Sequence, residues 1–162
     1  MSEIARIAAE LRRMYEGPAW HGPSVSESVA GITAAQASAR PLVGGHTIYE
    51  LTHHIAAWIG EARSRLLGNR SGDPADGDWP PPNARIDQAA WREALARLAE
   101  RQSEMLEALS GFDPARLGEI VDPDSPSAEG RRVTHYILLH GLVQHNAYHA
   151  GQIMLLRRAL GL

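Results

Sequence analysis

The chain of 162 residues contains no cysteine. That absence excludes a disulfide scaffold, a protein-borne thiol nucleophile and any thiolate metal site. A metal could be held only by His, Asp or Glu. An excess of charge of one sign is lacking too: 16 Lys plus Arg stand against 19 Asp plus Glu, for a formal net charge of −3. No basic block appears, so nucleic-acid binding driven by phosphate neutralisation has no electrostatic footprint and is set aside. No apolar run approaches the ~20 residues of a membrane span, which sets aside a membrane partner. The N-terminal stretch "MSEIARIAAELRRMYEG" sets Glu3, Arg6 and Glu10 among its apolar residues, the pattern of an amphipathic helix and not of a signal peptide. The expected location is the cytoplasm.

Hydrophobic residues make up 44% of the chain, which at this length supports one globular domain over residues 1–162. Ile4, Ile7, Leu11 and Met14 recur at helical spacing and stop at Gly17-Pro18, so the first helix is expected over residues 3–16. Ser24 with Glu27, Thr33 with Gln36, and Thr47 with Glu50 each match the capping box, in which a hydroxyl and a side chain three residues on satisfy free backbone N–H groups. The first two pairs open short helices. The third opens a long one that runs to Gly68 with Ile48, Leu51, Ile55, Trp58 and Leu66 as apolar positions.

"GNRSGDPADGDWPPPN" cannot continue a helix and reads as a surface connection. Its roughly 16 residues, at up to ~3.3 Å each, could span ~50 Å, more than the ~33 Å of a helix of about 22 residues. The connection can therefore run along a bundle, and the helices it joins need not be antiparallel neighbours. The next helix covers residues 86–111, with Trp91, Leu95, Leu98, Met105 and Leu109 on one side and its charged residues on a solvated face. A second connection, 112–132, leads to the last helix at about 133–160. The expected fold is all-α: a four-helix bundle with short accessory helices.

The last helix carries "QHNAYHAGQ". Positions i and i+4 lie one above the other on a helix, so His145 and His149 can direct both imidazoles at one metal ion. With eight histidines in the chain, about 0.4 such pairs arise by chance, so the spacing alone leaves two readings open. Leu138, Leu142, His145, His149, Gln152 and Leu156 form one stripe. Its histidines are either metal ligands or core residues hydrogen-bonded to side chains or water. A third ligand is offered by "LTHHIAAW", where His54 shares a face with Leu51, Trp58 and Glu61 while His53 points ~100° away. Three imidazoles leave a coordination position open, the arrangement of a catalytic site; a structural site is closed by four protein ligands.

"ELTHHIAAW" and "QHNAYHAGQIMLLRR", with "EGPAWHGPSVSESVAGITAAQA" before them, resemble the DinB-like superfamily. These are bacterial four-helix bundles that include bacillithiol transferases and mycothiol-dependent maleylpyruvate isomerases. The resemblance covers nearly the whole chain. It implies an up-down-down-up bundle, a homodimer, and one divalent metal ion held by His54, His145 and His149. Zinc or nickel stand first, with iron or manganese as alternatives.

The reaction implied is activation of a small thiol or of water, because a coordinated thiol is deprotonated and coordinated water becomes acidic. Having no cysteine, the protein would take a low-molecular-weight thiol as cosubstrate and transfer it to a small electrophilic substrate. A metal-dependent hydrolase is the alternative, and a noncatalytic metal- or ligand-binding stress-response protein is the third. Asn146 follows His145 where an HExxH protease has its glutamate, which argues against that class.

Around the ligands, Trp20 and His21 could cap the mouth of a site. Glu61 offers a carboxylate or an ion pair, and Gln152 could orient an imidazole. Tyr148 reads as a packing residue, and His135 and His140 as surface or ordinary core. Arg157 and Arg158 favour the helix dipole, and an Arg there could also reach an acidic substrate.

Overall fold

Local signals decide where the helices start. In the computed structural model, which describes residues 1–81, 84–125 and 130–162, Ser24, Thr33 and Thr47 each close a complete capping box. They open α2 (Val25–Val29), α3 (Ala34–Ser38) and α4 (Ile48–Leu66). Ser2 caps α1 (Glu3–Glu16), and Asp87 caps α5 (Gln88–Ser110) by accepting from the amides of Ala89 and Ala90. Thr134 caps α6 (His135–Ala159). Two short 3-10 turns, Pro114–Gly118 and Gly130–Arg132, lie between α5 and α6. Among the described residues the structure is all-helical, with only two isolated bridges of β type and no strand. No helix of these residues is long and apolar enough to cross a membrane. Two parts of the expected connections, residues 82–83 and 126–129, lie outside the described residues.

The four long helices are those expected, and α1 and α4 each pack against both α5 and α6. Ile7 and Leu11 of α1, Ile55 and Ile59 of α4, Trp91 and Met105 of α5, and Leu139 and Ile153 of α6 are almost wholly buried in one apolar cluster. Each such side chain contributes roughly 1.5–3 kcal/mol of gross burial free energy. The Trp91 indole N–H is matched as well, donating to the Ile32 carbonyl at 2.7 Å beside α3.

Contact between α4 and α5 begins at Tyr49 against Trp91, with ring centroids 6.5 Å apart. It continues at Gly60, where a Cβ would stand 3.2 Å from Arg101 Nε. Both helices therefore run in the same direction, and the connection between them returns along the bundle. The helices it joins are neighbours, parallel and not antiparallel. Against α6 the order is reversed: His54 meets His149, and Trp58, one turn later, meets only the earlier His145. Antiparallel α4 and α6 thus bring "HH" and "HxxxH" to one level.

The buried face of α6 is rotated from the expected stripe. Leu139, Asn146, Ala150 and Ile153 are the deepest, whereas Leu138, His145 and Gln152 are half-buried at its edge. His135 is core, packed edge-on to Phe112 at 5.0 Å. Arg157 donates to the carbonyls of Ser28 and Ala30 and ties α6 to the end of α2.

Candidate metal centre

Helix geometry supplies two of the three imidazoles from one element. His145 and His149 lie one turn apart on α6 with centroids 4.4 Å apart. His54 of α4 faces both, at 5.0 Å and 4.6 Å. One ligand-capable nitrogen from each ring can be chosen so that all lie within 4.8 Å of one another. His54 and His149 are buried and His145 is half-buried.

Hydrogen bonds assign the ring protons. His54 Nδ1 lies 3.1 Å from the Asp78 carbonyl and 2.9 Å from Asp78 Oδ1, both acceptors, so Nδ1 carries the proton. His149 Nδ1 is 2.6 Å from Gln152 Oε1, and His145 Nδ1 is 3.3 Å from Asn146 Oδ1. All three neutral rings then keep an Nε2 lone pair free for a metal. His54 Nε2 and His145 Nε2 are 3.0 Å apart. Two nitrogens bound to one metal at ~2.1 Å stand ~3.0–3.4 Å apart, so this spacing fits a shared cation.

The electrostatics agree. Burial pushes all three imidazoles below the usual histidine range, His145 furthest, to about 4, with His149 beside it adding to the effect. Asp78 and Gln152 partly oppose burial at His54 and His149. The rings are neutral at pH 7, the form that binds metals.

The connection read as a plain surface segment supplies much of the site. Asp78 accepts from the Trp58 indole at 2.6 Å while it holds His54. Trp79 stacks on His54 with centroids 4.0 Å apart and on His46 at 3.7 Å, so the indole is sandwiched between two imidazoles. Gly77 and Asp76 anchor the same segment through His53 and through Arg97 and Arg101. The only sequence signal for these roles is an acid and an aromatic next to each other in a Pro-rich stretch.

The other expected neighbours fall on both sides. Trp58 lines the site, 6.2 Å from His54 and 6.1 Å from His145 by centroids, and Gln152 orients His149. Glu61 does not take a place beside the triad. Its buried carboxylate accepts from Arg65 Nε at 2.7 Å and from the Gly72 amide at 3.1 Å, and the carboxylate next to the triad is that of Asp78, beside His54. Trp20 is fully exposed and His21 is exposed, so neither packs over the histidines; the turn that carries them faces solvent. Tyr148 is exposed too, and its ring meets His149 edge-on at 5.0 Å, so it is not a core packing residue.

A family model of the DinB superfamily matches residues 19–153. The chain belongs to the DinB superfamily. No curated protein matches it. Among solved structures it is similar to the conserved protein of locus from Enterococcus faecalis. That likeness has a TM-score of 0.73 at 17% identity, covers 100% of this chain and 99% of that one, and speaks to the fold alone. As a DinB-superfamily chain, the protein carries a histidine triad that could hold a metal ion, formed where α4 and α6 cross its core.

Proposed function

We propose that His54, His145 and His149 hold one divalent metal ion, zinc or nickel ahead of iron or manganese, and that the protein transfers a low-molecular-weight thiol to an electrophilic small molecule. The observation that carries the metal is the tying of all three Nδ1 atoms to oxygens of Asp78, Asn146 and Gln152, which leaves each ring an Nε2 lone pair, in three rings whose ligand-capable atoms lie within 4.8 Å of one another. Three neutral imidazoles leave a divalent ion its full charge, so when bound it supplies Lewis acidity that favours the anionic form of a thiol.

The chain's own residues do the rest. Asp78 fixes the His54 tautomer, and Trp79 covers one face of that ring and excludes water from it. With no cysteine in the sequence, the sulfur comes from a cosubstrate. The thiol S–H bond breaks and its proton passes to solvent, the sulfur forms a bond to the electrophilic carbon, and the group displaced from that carbon leaves with the bonding electron pair. Action in the cytoplasm and as a homodimer belongs to the same proposal. Tyr148 and Leu155, exposed two turns apart on α6, offer an apolar face for pairing, and light scattering on the eluted protein tests it.

The test is turnover by metal-loaded protein of a small thiol with a panel of electrophiles, followed as thiol consumption. Loss of thiol that depends on metal and on His145 supports the proposal. Metal-dependent ester or amide cleavage without thiol replaces it with a hydrolase, and metal binding without either reaction replaces it with a noncatalytic binding protein.

A further inference from the structure

A cavity of about 210 Å³ opens between α4 and α6 next to the triad. Trp58, Ala62, Arg65, Leu138, Gly141 and His145 are among the residues that line it. The one charged side chain among these is already matched: Arg65 donates to the buried Glu61 carboxylate and to the Gly72 carbonyl, and its guanidinium lies 5.6 Å from the Trp58 ring centroid. The cavity therefore offers no unmatched charge to a ligand. An apolar cavity of ~150 Å³ takes up benzene, so a space of this size holds one substituted ring.

Gly141 is the notable residue in the wall. It sits inside α6, where glycine is the poorest helix former after proline. Its backbone does not have a positive φ, so the conformation gives no reason for glycine. A Cβ at this position would meet nothing within 4 Å. What glycine preserves is open space beside His145.

We propose that this cavity receives an uncharged apolar group of the electrophilic substrate, a single aromatic ring or a branched alkyl group of similar size, and that Gly141 sets the size limit. The inference rests on the thiol-transfer proposal for what the bound group does, but binding can be tested without it. Trp58 forms one wall and His145 places the bound group beside the triad.

The experiment titrates 4-fluorobenzyl alcohol into the zinc-loaded wild type, Gly141→Ala and Gly141→Leu, followed by ¹⁹F NMR, with zinc content measured on the same samples. Saturable binding to the wild type is expected, with binding to Gly141→Leu roughly tenfold or more weaker because the side chain fills the space. Gly141→Ala is expected to fall between them, and its higher helix propensity keeps the test open should leucine disturb folding. No saturable binding to the wild type, or equal binding to all three, overturns the proposal. Repeating the titration without metal separates the two claims: probe binding in a protein that takes up no zinc would leave the cavity assignment standing and remove the metal.

Discussion

His54 Nε2 and His145 Nε2 stand 3.0 Å apart, each on a ring whose proton is drawn to the far side by Asp78 or Asn146. Without a metal, His145 bridges that gap only by carrying its proton on Nε2 and giving up the Asn146 bond, whereas a cation between the rings satisfies both lone pairs at once. Zinc or nickel added to metal-free protein is therefore expected to raise its melting temperature. At a free metal concentration 100 times Kd the gain is ~2.7 kcal/mol, or about 5–10 °C for a chain of this size. Thermal melts with and without a chelator check it.

The metal-free protein is expected to lose stability on mild acidification. Burial lowers the folded-state affinity of His54, His145 and His149 for protons, so between the ordinary histidine pKa and about 4 the unfolded chain binds more protons than the folded one. Stability is complete above ~6.5, falls as pH drops through that window, and levels off below about 4 for His145, whose share is roughly 3 kcal/mol. Urea midpoints measured from pH 7.5 to 4 report this, and His145→Gln should flatten the profile.

Asp78→Ala removes the carboxylate that holds His54 and accepts from Trp58, leaving only the backbone carbonyl at Nδ1. Metal affinity is expected to fall ~10–100-fold while the fold is kept. Asp78→Asn retains an acceptor and should lose less. Competition with a chromophoric chelator gives both numbers.

How much of this was legible differs from residue to residue. The capping boxes at Ser24, Thr33 and Thr47 were readable because each acts within four residues, and the structure closes all three. His54, His145 and His149 could be nominated because helical spacing puts each pair member on a face, and the structure brings the three together. Asp78 and Trp79 could not, because they meet His54 from a connection without periodicity, some 24 residues along the chain, and only tertiary packing brings them there. Glu61 shares a face with His54, yet Arg65 one turn on is the nearer partner for its charge. Trp20 was offered as a cap over the mouth of a site, but residue type beside a turn does not fix where a ring points, and this one projects wholly into solvent.

Away from the site, Trp91→Phe tests the join between α3 and α5. It keeps most of the buried ring but leaves the Ile32 carbonyl without its indole donor. A loss of about 1–3 kcal/mol is expected from urea unfolding, with metal content unchanged.

Metal content by plasma mass spectrometry, on tag-free wild type beside His145→Ala after dialysis against a mild chelator, tests the central claim most directly. About one divalent ion per chain in the wild type and almost none in the variant is the result the account predicts. No metal in either protein, even after zinc, nickel or manganese is added, would contradict it and make the three histidines ordinary buried residues.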